Sequence, residues 1–387
     1  MTVAAELERR LAALDGIGRD PATGAVTRLA WTAEDEALGA WFAREAAAAG
    51  LRVERDPAGN RWAVPDAPPP WWGVGSHLDS VRGGGAFDGP LGVAAGFAVA
   101  ARARAPVAVL AFADEEGGRF NTPTFGSRAL AGRLDVDGVL ARRDRDGVAL
   151  GDALRAAGLD PGALASATAW RARLRGFLEL HIDQGTQVAG LDAPFAAASG
   201  LAARARLRCA FEGRADHAGT TAPADRRDAL AAAAALVGAV EALADDGVRT
   251  SVGRLEPSPN AATTIAARCV AWVDVRAVAD APLAAAVERV EEAARAAAAA
   301  RRVAVEIVEE SRSPTVTFAP ELRAALGAPE VTCWAGHDAG ILAAQLPAAL
   351  VLVRNRTGIS HAAEEHVELD DAAAGVAAMV RALEAVA

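Results

Sequence analysis

The stretch of sequence that decides the fold is WWGVGSHLDS, residues 71–80. Its first half is an apolar run of strand length that leads directly into His77 and Asp79. A second such run covers residues 107–113, and the apolar segment 91–104 between the two has the length of a helix. Two buried strands joined by a helix form the βαβ unit of a parallel sheet, so we predict an α/β fold.

Polar side chains follow other strand-like runs of the chain in the same way. The acidic residues 114–116 follow the second run directly, His181 lies at the end of another, and His361 comes shortly after the apolar run 348–353. Ligands of open α/β sheets bind at the carboxyl ends of the strands. We therefore expect these side chains to share one site in a mixed, mostly parallel sheet flanked by helices.

The length of 387 residues and a hydrophobic content of 52% indicate two domains. Two Ala-rich helices are predicted at about 225–244 and 283–301, with a strand at 269–275 between them. This pattern predicts a small α/β insert. We expect residues 1–201 and 311–387 to form the larger catalytic domain, and residues 202–310 to form the inserted domain.

Charge and composition exclude several classes of partner. The formal net charge of −10 comes without a basic block, which argues against nucleic acid or an anionic membrane surface and favours a small-molecule substrate. The three cysteines are widely separated, so neither a disulfide framework nor a Cys-type zinc site is expected. Without a basic leader or an apolar run of about 18 residues, we expect a cytoplasmic protein.

The histidines are few and lie in motifs. The chain contains six, at positions 77, 181, 217, 337, 361 and 366, and five have Gly, Asp or Glu neighbours typical of sites. A lone histidine usually satisfies local hydrogen bonds, but Asp79 can approach the second ring nitrogen of His77 and fix its tautomer. Asp88, eleven residues after His77, can bridge two cations with its two oxygens. Nitrogen and oxygen ligands without sulfur predict a two-metal hydrolase.

The acidic residues 114–116 would repel one another unless cations lie near or one is protonated. Neighbours in extended structure point in opposite directions, so one glutamate can bind metal while the other acts as general base. An isolated acidic triplet is more often a solvated loop, and a histidine on a buried strand, such as His181, is more often part of the core. The metal interpretation depends on all of these residues acting together with His361.

Nine motifs together carry a resemblance to a known family. In order they are GSHLDS, FDGPLG, ADEEGGRF, GSRALAG, LELHIDQG, ADHAGTT, DRRDAL, AGHDAG and GISHAAEE. Over almost the whole chain they resemble the metallopeptidase-like hydrolases that include N-carbamoyl-L-amino-acid hydrolase, β-ureidopropionase and allantoate amidohydrolase. The resemblance implies two divalent metal ions, zinc or manganese, with cobalt or nickel also possible. It implies one ion held by His77, Asp88 and His181, and a second held by Asp88, Glu116 and His361.

The resemblance also implies roles for other residues. Glu115 would be the general base, with Asp79 supporting His77. The inserted domain would be a lid that forms a homodimer, and His217 would reach the active site of the partner subunit and donate to the oxyanion. Arg276 would clamp the substrate carboxylate.

Gln184 and Asn260 match polar positions near the substrate in this family, but other positions depart from its pattern. Thr263 stands where the family has Asn, Ala266 where it has Pro, and Asp183 where it has Glu. A hydroxyl cannot present both donor and acceptor at the reach of an amide, so we expect Thr263 to alter the substrate or its pose.

The predicted reaction is metal-assisted hydrolysis of a linear C–N bond in a ureido or amide group of a small carboxylate. The stretches 353–358 and 224–228 resemble the allantoate amidohydrolases of this family, and this resemblance implies allantoate as the substrate. N-carbamoyl-L-amino acids come next, followed by other acyl-amino acids. A non-catalytic metal-binding or assembly protein of the same fold is the alternative from another class, and an intact Glu115 with all five ligand candidates argues against it.

Overall fold

The structure, a computed structural model, describes residues 1–386. The chain divides into two compact units, the first built from residues 1–200 together with the segment that begins at Thr317, and the second from Leu201–Val316. Each unit has its own sheet and its own hydrophobic core.

The first part of the chain contains six strands and six α-helices, followed in chain order by the elements of the second unit and the returning segment. The strands of the first part are β1 (Arg52–Arg55), β2 (Arg61–Val64), β3 (Trp71–His77), β4 (Val107–Phe112), β5 (Leu174–Ile182) and β6 (Phe195–Leu201). Its helices are α1 (Val3–Ala12), α2 (Ala33–Ala48), α3 (Pro90–Ala100), α4 (Phe125–Leu130), α5 (Val136–Leu140) and α6 (Leu150–Ala156), with a 3-10 helix at Pro161–Arg173.

The second unit contains β7 (Ala203–Glu212), β8 (Asp216–His217), β9 (Val248–Ser258), β10 (Thr264–Ile265), β11 (Arg268–Ala277), β12 (Ala304–Ser313), α7 (Ala229–Glu241), α8 (Asp280–Arg301) and a 3-10 turn at Pro223–Asp225. The chain then returns to the first unit through β13 (Val316–Thr317), β14 (Glu330–Cys333), β15 (Ala348–Val353), α9 (Pro320–Leu326), α10 (Asp338–Leu342) and α11 (Leu369–Ala385).

The large sheet of the first unit has the strand order β1-β2-β4-β3-β5-β15-β6-β13, with β14 paired to β6. The central strands β4, β3, β5 and β15 are parallel, whereas β2 pairs with β4 and β6 pairs with β15 in the antiparallel sense. The predicted α/β class, with a mixed sheet and two domains, is therefore confirmed. The βαβ unit of β3, α3 and β4 is present, although α3 ends at Ala100, before the expected end at residue 104.

The central strands are continuous apolar runs in the sequence, because helices cover them in the structure. Every residue of β3, β4 and β15 is buried, and α3 is buried on all sides except at its last residue. Buried strands of this kind need no alternation of polar and apolar residues. The carboxyl ends of the parallel strands lie at one edge of the sheet, and His77 and His181 are at or next to those ends.

The second unit has a four-stranded antiparallel sheet in the order β12-β7-β11-β9. In β7, buried Ala205, Leu207 and Cys209 alternate with the more exposed Arg204 and Arg206, as expected for a sheet covered on one face. Helices α7 and α8 pack with the buried side chains in one core. None of the helices in residues 1–386 combines the length and the apolar character that a membrane crossing requires.

Candidate metal centre

Asp88 is the side chain at which two groups of candidate metal ligands meet. The Nε2 atoms of His77 and His181 lie 3.5 Å and 3.1 Å from Oδ1 of Asp88. On the other side, Nε2 of His361 lies 3.2 Å from Oδ2 of Asp88 and 3.3 Å from Oε1 of Glu116. Within each group the candidate ligand atoms lie within 4.8 Å of one another. One oxygen of Asp88 therefore faces each group.

The tautomers of His77 and His181 direct their free nitrogens at Asp88. Nδ1 of His77 is 3.0 Å from the main-chain oxygen of Asp79, and Nδ1 of His181 is 2.9 Å from that of Ile182. A carbonyl oxygen only accepts hydrogen bonds, so each Nδ1 carries the proton and each neutral ring presents its Nε2 lone pair. Two lone pairs then face a carboxylate oxygen, an arrangement that requires a cation or additional protons between them.

The donor set fits divalent cations. It consists of imidazole nitrogens and carboxylate oxygens, the ligands expected for zinc or manganese rather than for soft, sulfur-bound metals. Oε1 of Glu116 is buried and accepts no hydrogen bond within residues 1–386. A buried carboxylate oxygen without a donor is costly unless a cation satisfies it. Both groups of side chains can therefore bind metal ions.

Glu115 lies beside the first group and is fixed through its main chain. Its Oε2 is 3.9 Å from Nε2 of His77. The carboxylate of Asp79 accepts the backbone N–H of Glu115 through Oδ1 and that of Glu116 through Oδ2, each at 3.1 Å. Asp79 thus orients His77 with its main-chain oxygen, while its carboxylate, 3.7 Å from the ring nitrogen, holds the loop that carries both glutamates.

The backbone takes up unusual conformations at this site. Asp114 and His361 have φ of 50° and 56°, the left-handed region that non-glycine residues rarely adopt. Gly89 has φ of 84°, and a Cβ atom there would overlap the ring of His77. Only glycine fits this position, because it both allows the positive φ and leaves room for the imidazole.

Side chains distant in sequence hold Asp88 in place. Oε2 of Glu365 accepts the backbone N–H of Phe87 at 2.8 Å and that of Asp88 at 3.0 Å. Ser360 Oγ lies 3.3 Å from Oδ2 of Asp88 and 3.2 Å from Oε1 of Glu365. Gln184 Nε2 donates to Oδ2 of Asp88 at 2.8 Å, which places this predicted residue at the centre.

Burial and mutual proximity shift the pKa values of these groups. Burial raises the pKa of Glu115 well above its usual value, although His77 opposes the shift. Burial and the neighbouring Asp88 raise the pKa of Glu116 to about 7. Burial would also raise the pKa of Asp88, but the facing histidines, His181 first, outweigh it and hold that pKa well below its usual range. Of these three carboxyl groups, only Asp88 is thus held in its charged form, and a nearby cation would favour the charged forms of the two glutamates.

The structure adds His337 to the residues selected from sequence. It is buried, its ring centroid is 4.4 Å from that of His181, and burial lowers its pKa well below the usual value. With Glu179 and His181 it forms a third group of potential ligands. Both oxygens of Glu179 already accept hydrogen bonds, from Ser76 Oγ at 2.6 Å and from the N–H of Ala339 at 2.8 Å. In the sequence, the AGHDAG motif is the signal that marks His337.

The remaining predicted residues lie in the second unit. His217 of β8 is exposed, and its Nδ1 accepts the N–H groups of Gly219 at 3.0 Å and Thr220 at 3.2 Å, which leaves the ring proton on Nε2. Arg276 donates from Nε to Oδ1 of Asp274 at 2.8 Å. The predicted substrate contacts Asn260 and Thr263 are both exposed.

The fold and this centre define a two-domain α/β protein of the metal-dependent hydrolase class, with candidate metal ligands clustered at the strand ends. The profile of Peptidase family M20/M25/M40 matches residues 63–385, so the chain belongs to this family.

Individual relatives are similar over nearly their whole length. The N-carbamoyl-L-amino acid amidohydrolase of Geobacillus stearothermophilus is 35% identical, with 95% of each chain covered. The allantoate amidohydrolase of Escherichia coli is 30% identical, with 96% of this chain and 95% of the relative covered. The solved structure of a hydantoinase/carbamoylase family amidase from Burkholderia multivorans superposes with a TM-score of 0.84 at 29% identity, covering 98% of this chain and 97% of the other.

Proposed function

We propose that the protein hydrolyses a linear C–N bond in a ureido or amide group of a small carboxylate, in a metal-dependent reaction. The observation that carries this proposal is Asp88, a buried carboxylate with one oxygen toward each of two ligand groups, together with Glu115 beside His77 of the first group. The resemblance in sequence to named amidohydrolases over 95% of the chain supports the same class of reaction.

Five residues would hold two divalent ions, zinc or manganese, with Asp88 shared between them. These residues are His77, Asp88, Glu116, His181 and His361. When bound, such ions polarise the carbonyl group under attack and make water a stronger acid. The protein supplies their orientation, because the Nδ1 hydrogen bonds of His77 and His181 fix which ring nitrogen is free.

Glu115 is the general base in this mechanism. Its raised pKa makes its carboxylate a stronger base than that of an exposed glutamate, which suits it to take the proton of the attacking water and to pass it to the leaving nitrogen. The hydrogen bonds that the backbone N–H groups of Glu115 and Glu116 donate to the carboxylate of Asp79 hold the glutamate loop in place during this transfer.

The second unit would contribute substrate binding and oxyanion stabilisation. His217 carries its ring proton on Nε2 and can donate it to the oxyanion. Arg276 would clamp the substrate carboxylate, and its contact with Asp274 orients the guanidinium. Asn260 and Thr263 would contact the substrate. The hydroxyl of Thr263, which stands in place of an amide, would alter which substrate binds or its pose.

Two substrates are the leading candidates. Residues 353–358 and 224–228 resemble the allantoate amidohydrolases and so favour allantoate. The sequence identity of 35% to the Geobacillus relative is higher than the 30% to the Escherichia coli allantoate amidohydrolase, which favours an N-carbamoyl-L-amino acid. The test is ammonia release from allantoate and from a panel of N-carbamoyl-L-amino acids after loading with Mn²⁺ or Zn²⁺. Turnover of at least one ureido acid is expected. Rapid turnover of a carbamoyl substrate without turnover of allantoate would reject the allantoate assignment.

Replacement of Glu115 tests whether the protein is an enzyme or a metal-binding protein without catalytic activity. Glu115→Gln keeps the size of the side chain but removes the base, so hydrolysis should fall by at least about a thousandfold. The metal content of the purified variant should equal that of the unaltered protein, because Glu115 is outside both ligand groups. Activity that survives the substitution would show that another group is the base.

We further propose a homodimer in which His217 of one subunit completes the active site of the partner. The support is the family resemblance of the ADHAGTT motif and the exposed position of His217. A Glu115→Gln subunit mixed with a His217→Ala subunit should then regain activity, since one mixed site keeps both residues. Mixtures that stay inactive, although they form mixed dimers, would argue against the shared site.

A further inference from the structure

Three arginines form a row across one end of the second unit's sheet. Arg276 of β11 is the register partner of Arg204 on β7 and of Arg249 on β9. Directly paired residues of antiparallel strands project from the same face, with Cβ atoms about 4.5–5.5 Å apart. Ser313 of β12 is paired with Arg204 on its other side, so the row extends across all four strands.

On this face of the sheet, the carboxylates pair with arginines other than Arg204. Asp274 accepts from Nε of Arg276 at 2.8 Å and from Nε of Arg206 at 3.3 Å. Arg208, further along β7, pairs with Glu306 at 2.8 Å. Within residues 1–386, Arg204 forms no ion pair with a carboxylate.

An unneutralised arginine in this position is unfavourable for folding. Like charges on directly opposed strand positions destabilise a sheet. Arg204 is half-buried, and burial together with the neighbouring Arg206 and Arg276 lowers its pKa, which Asp274 opposes. An anion beside Arg204 would remove this cost, because guanidinium groups bind carboxylates through paired hydrogen bonds.

We infer that Arg204 and Arg276 together form a binding site for two carboxylates of one small molecule. This inference rests on the proposed function, in which Arg276 clamps the carboxylate next to the ureido group. A second carboxylate, one or two CH2 groups away on the same substrate, then lies within reach of the neighbouring guanidinium of Arg204. The substrate class is therefore the N-carbamoyl derivatives of acidic amino acids.

The experiment compares N-carbamoyl-L-aspartate with N-carbamoyl-L-asparagine, which has nearly the same shape without the second charge. The metal-loaded protein should have the higher kcat/KM for the aspartate derivative. Arg204→Gln should lower the ratio of the two kcat/KM values about ten- to hundredfold, the usual range for one hydrogen-bonded charge pair. Arg204→Lys keeps the charge but not the planar fork, so its ratio of kcat/KM values should lie between that of the unaltered protein and that of Arg204→Gln.

Arg208→Gln is the matched control, because it removes an arginine from the same strand and face that is already paired with Glu306. It should leave the ratio unchanged. Two results would overturn the inference. One is a higher kcat/KM of the unaltered protein for N-carbamoyl-L-asparagine than for N-carbamoyl-L-aspartate, and the other is an equal loss of kcat/KM for both substrates in Arg204→Gln.

Direct binding keeps the inference testable if neither ureido compound is hydrolysed and the proposed function itself fails. Succinate and its half-amide, titrated calorimetrically into the metal-loaded protein, replace the two substrates. Arg204→Gln should weaken the binding of succinate about ten- to hundredfold and that of the half-amide much less. Equal affinities for both compounds, or succinate binding that does not depend on Arg204, would overturn the two-carboxylate site.

Discussion

At the scale of single residues, Asp88 depends on partners far away in the sequence. Its carboxylate receives a hydrogen bond from Gln184, and its main-chain N–H is held by Glu365, 277 residues further along the chain. Glu365 is only 4% exposed, so the two backbone N–H groups that it accepts have little access to water. We therefore regard Glu365 as a positioning residue for the candidate bridging ligand.

Replacement of Glu365 should affect metal binding before it affects the fold. Glu365→Ala leaves the N–H groups of Phe87 and Asp88 without acceptors, at about 1–3 kcal/mol each. We expect a clear loss of metal content after dialysis and a lower Tm. Glu365→Gln retains one acceptor oxygen and should restore most of the metal binding. The exposed neighbour Glu364 is the control, since Glu364→Ala should change neither quantity. Full metal content in Glu365→Ala would contradict this role.

At the scale of elements, a cluster of ion pairs joins α1 to α2. Glu45 of α2 accepts two hydrogen bonds from Arg9, at 2.9 Å and 2.7 Å, and one from Nε of Arg10 at 2.9 Å. The hydrogen bonds from Arg9 are the largest cause of the lowered pKa of Glu45, and the hydrogen bond from Arg10 adds to this lowering, which burial opposes. Leu38, Trp41 and Phe42 of the same helix are fully buried. The ion pairs thus fix a helix whose apolar face packs in the core.

The sign of the pKa shift predicts how this contact responds to pH. Because the pKa of Glu45 is lower in the folded state, its contribution is complete above the unfolded-state pKa and is lost as the pH falls through the folded-state pKa. Glu45→Gln should lower the free energy of unfolding by about 1–3 kcal/mol at neutral pH, and by less in acid. Urea unfolding at several pH values measures both. Glu36→Gln, at an exposed position of α2, should have little effect at any pH.

At the scale of the whole molecule, the second unit is an insertion with closely spaced ends. Its first long strand, β7, pairs with its last, β12, and Arg204 is opposite Ser313. The chain therefore enters and leaves the unit side by side. Leu207, Phe211 and Val290 belong to a core that this unit forms by itself. A contiguous segment with its own core and adjacent termini has what a domain needs to fold alone.

We therefore expect the fragment 201–316 to fold when it is expressed alone. Circular dichroism should show the helices α7 and α8, and thermal unfolding should be cooperative. A shorter fragment, 201–277, lacks α8 and β12 and should remain unfolded, since it loses much of the shared core. Non-cooperative melting of the longer fragment would show that this unit needs the rest of the chain.

The sequence by itself determined the class of the fold, the βαβ unit and the side chains that gather near Asp88. These features are local: apolar runs predict buried strands, and parallel strands bring their carboxyl ends to one edge. His77, Asp88, His181 and His361 could therefore be selected before any contact was known, whereas the choice of Glu116 rather than Glu115 as a ligand came from the family resemblance. The predicted ends of α7 were less accurate, since this helix begins at Ala229 and ends at Glu241, inside the predicted 225–244, whereas α8 ends at residue 301 as predicted.

Only the tertiary structure decided how those side chains are held. In the structure, the main-chain oxygen of Asp79 contacts the ring of His77, while the carboxylate of Asp79 accepts a hydrogen bond from the loop that carries the two glutamates. The tertiary structure also brought Glu365 to Asp88 and Arg204 beside Arg276. Hydrogen-bond partners and strand register depend on the packing of segments that are distant in the chain, and neither composition nor local periodicity contains that information.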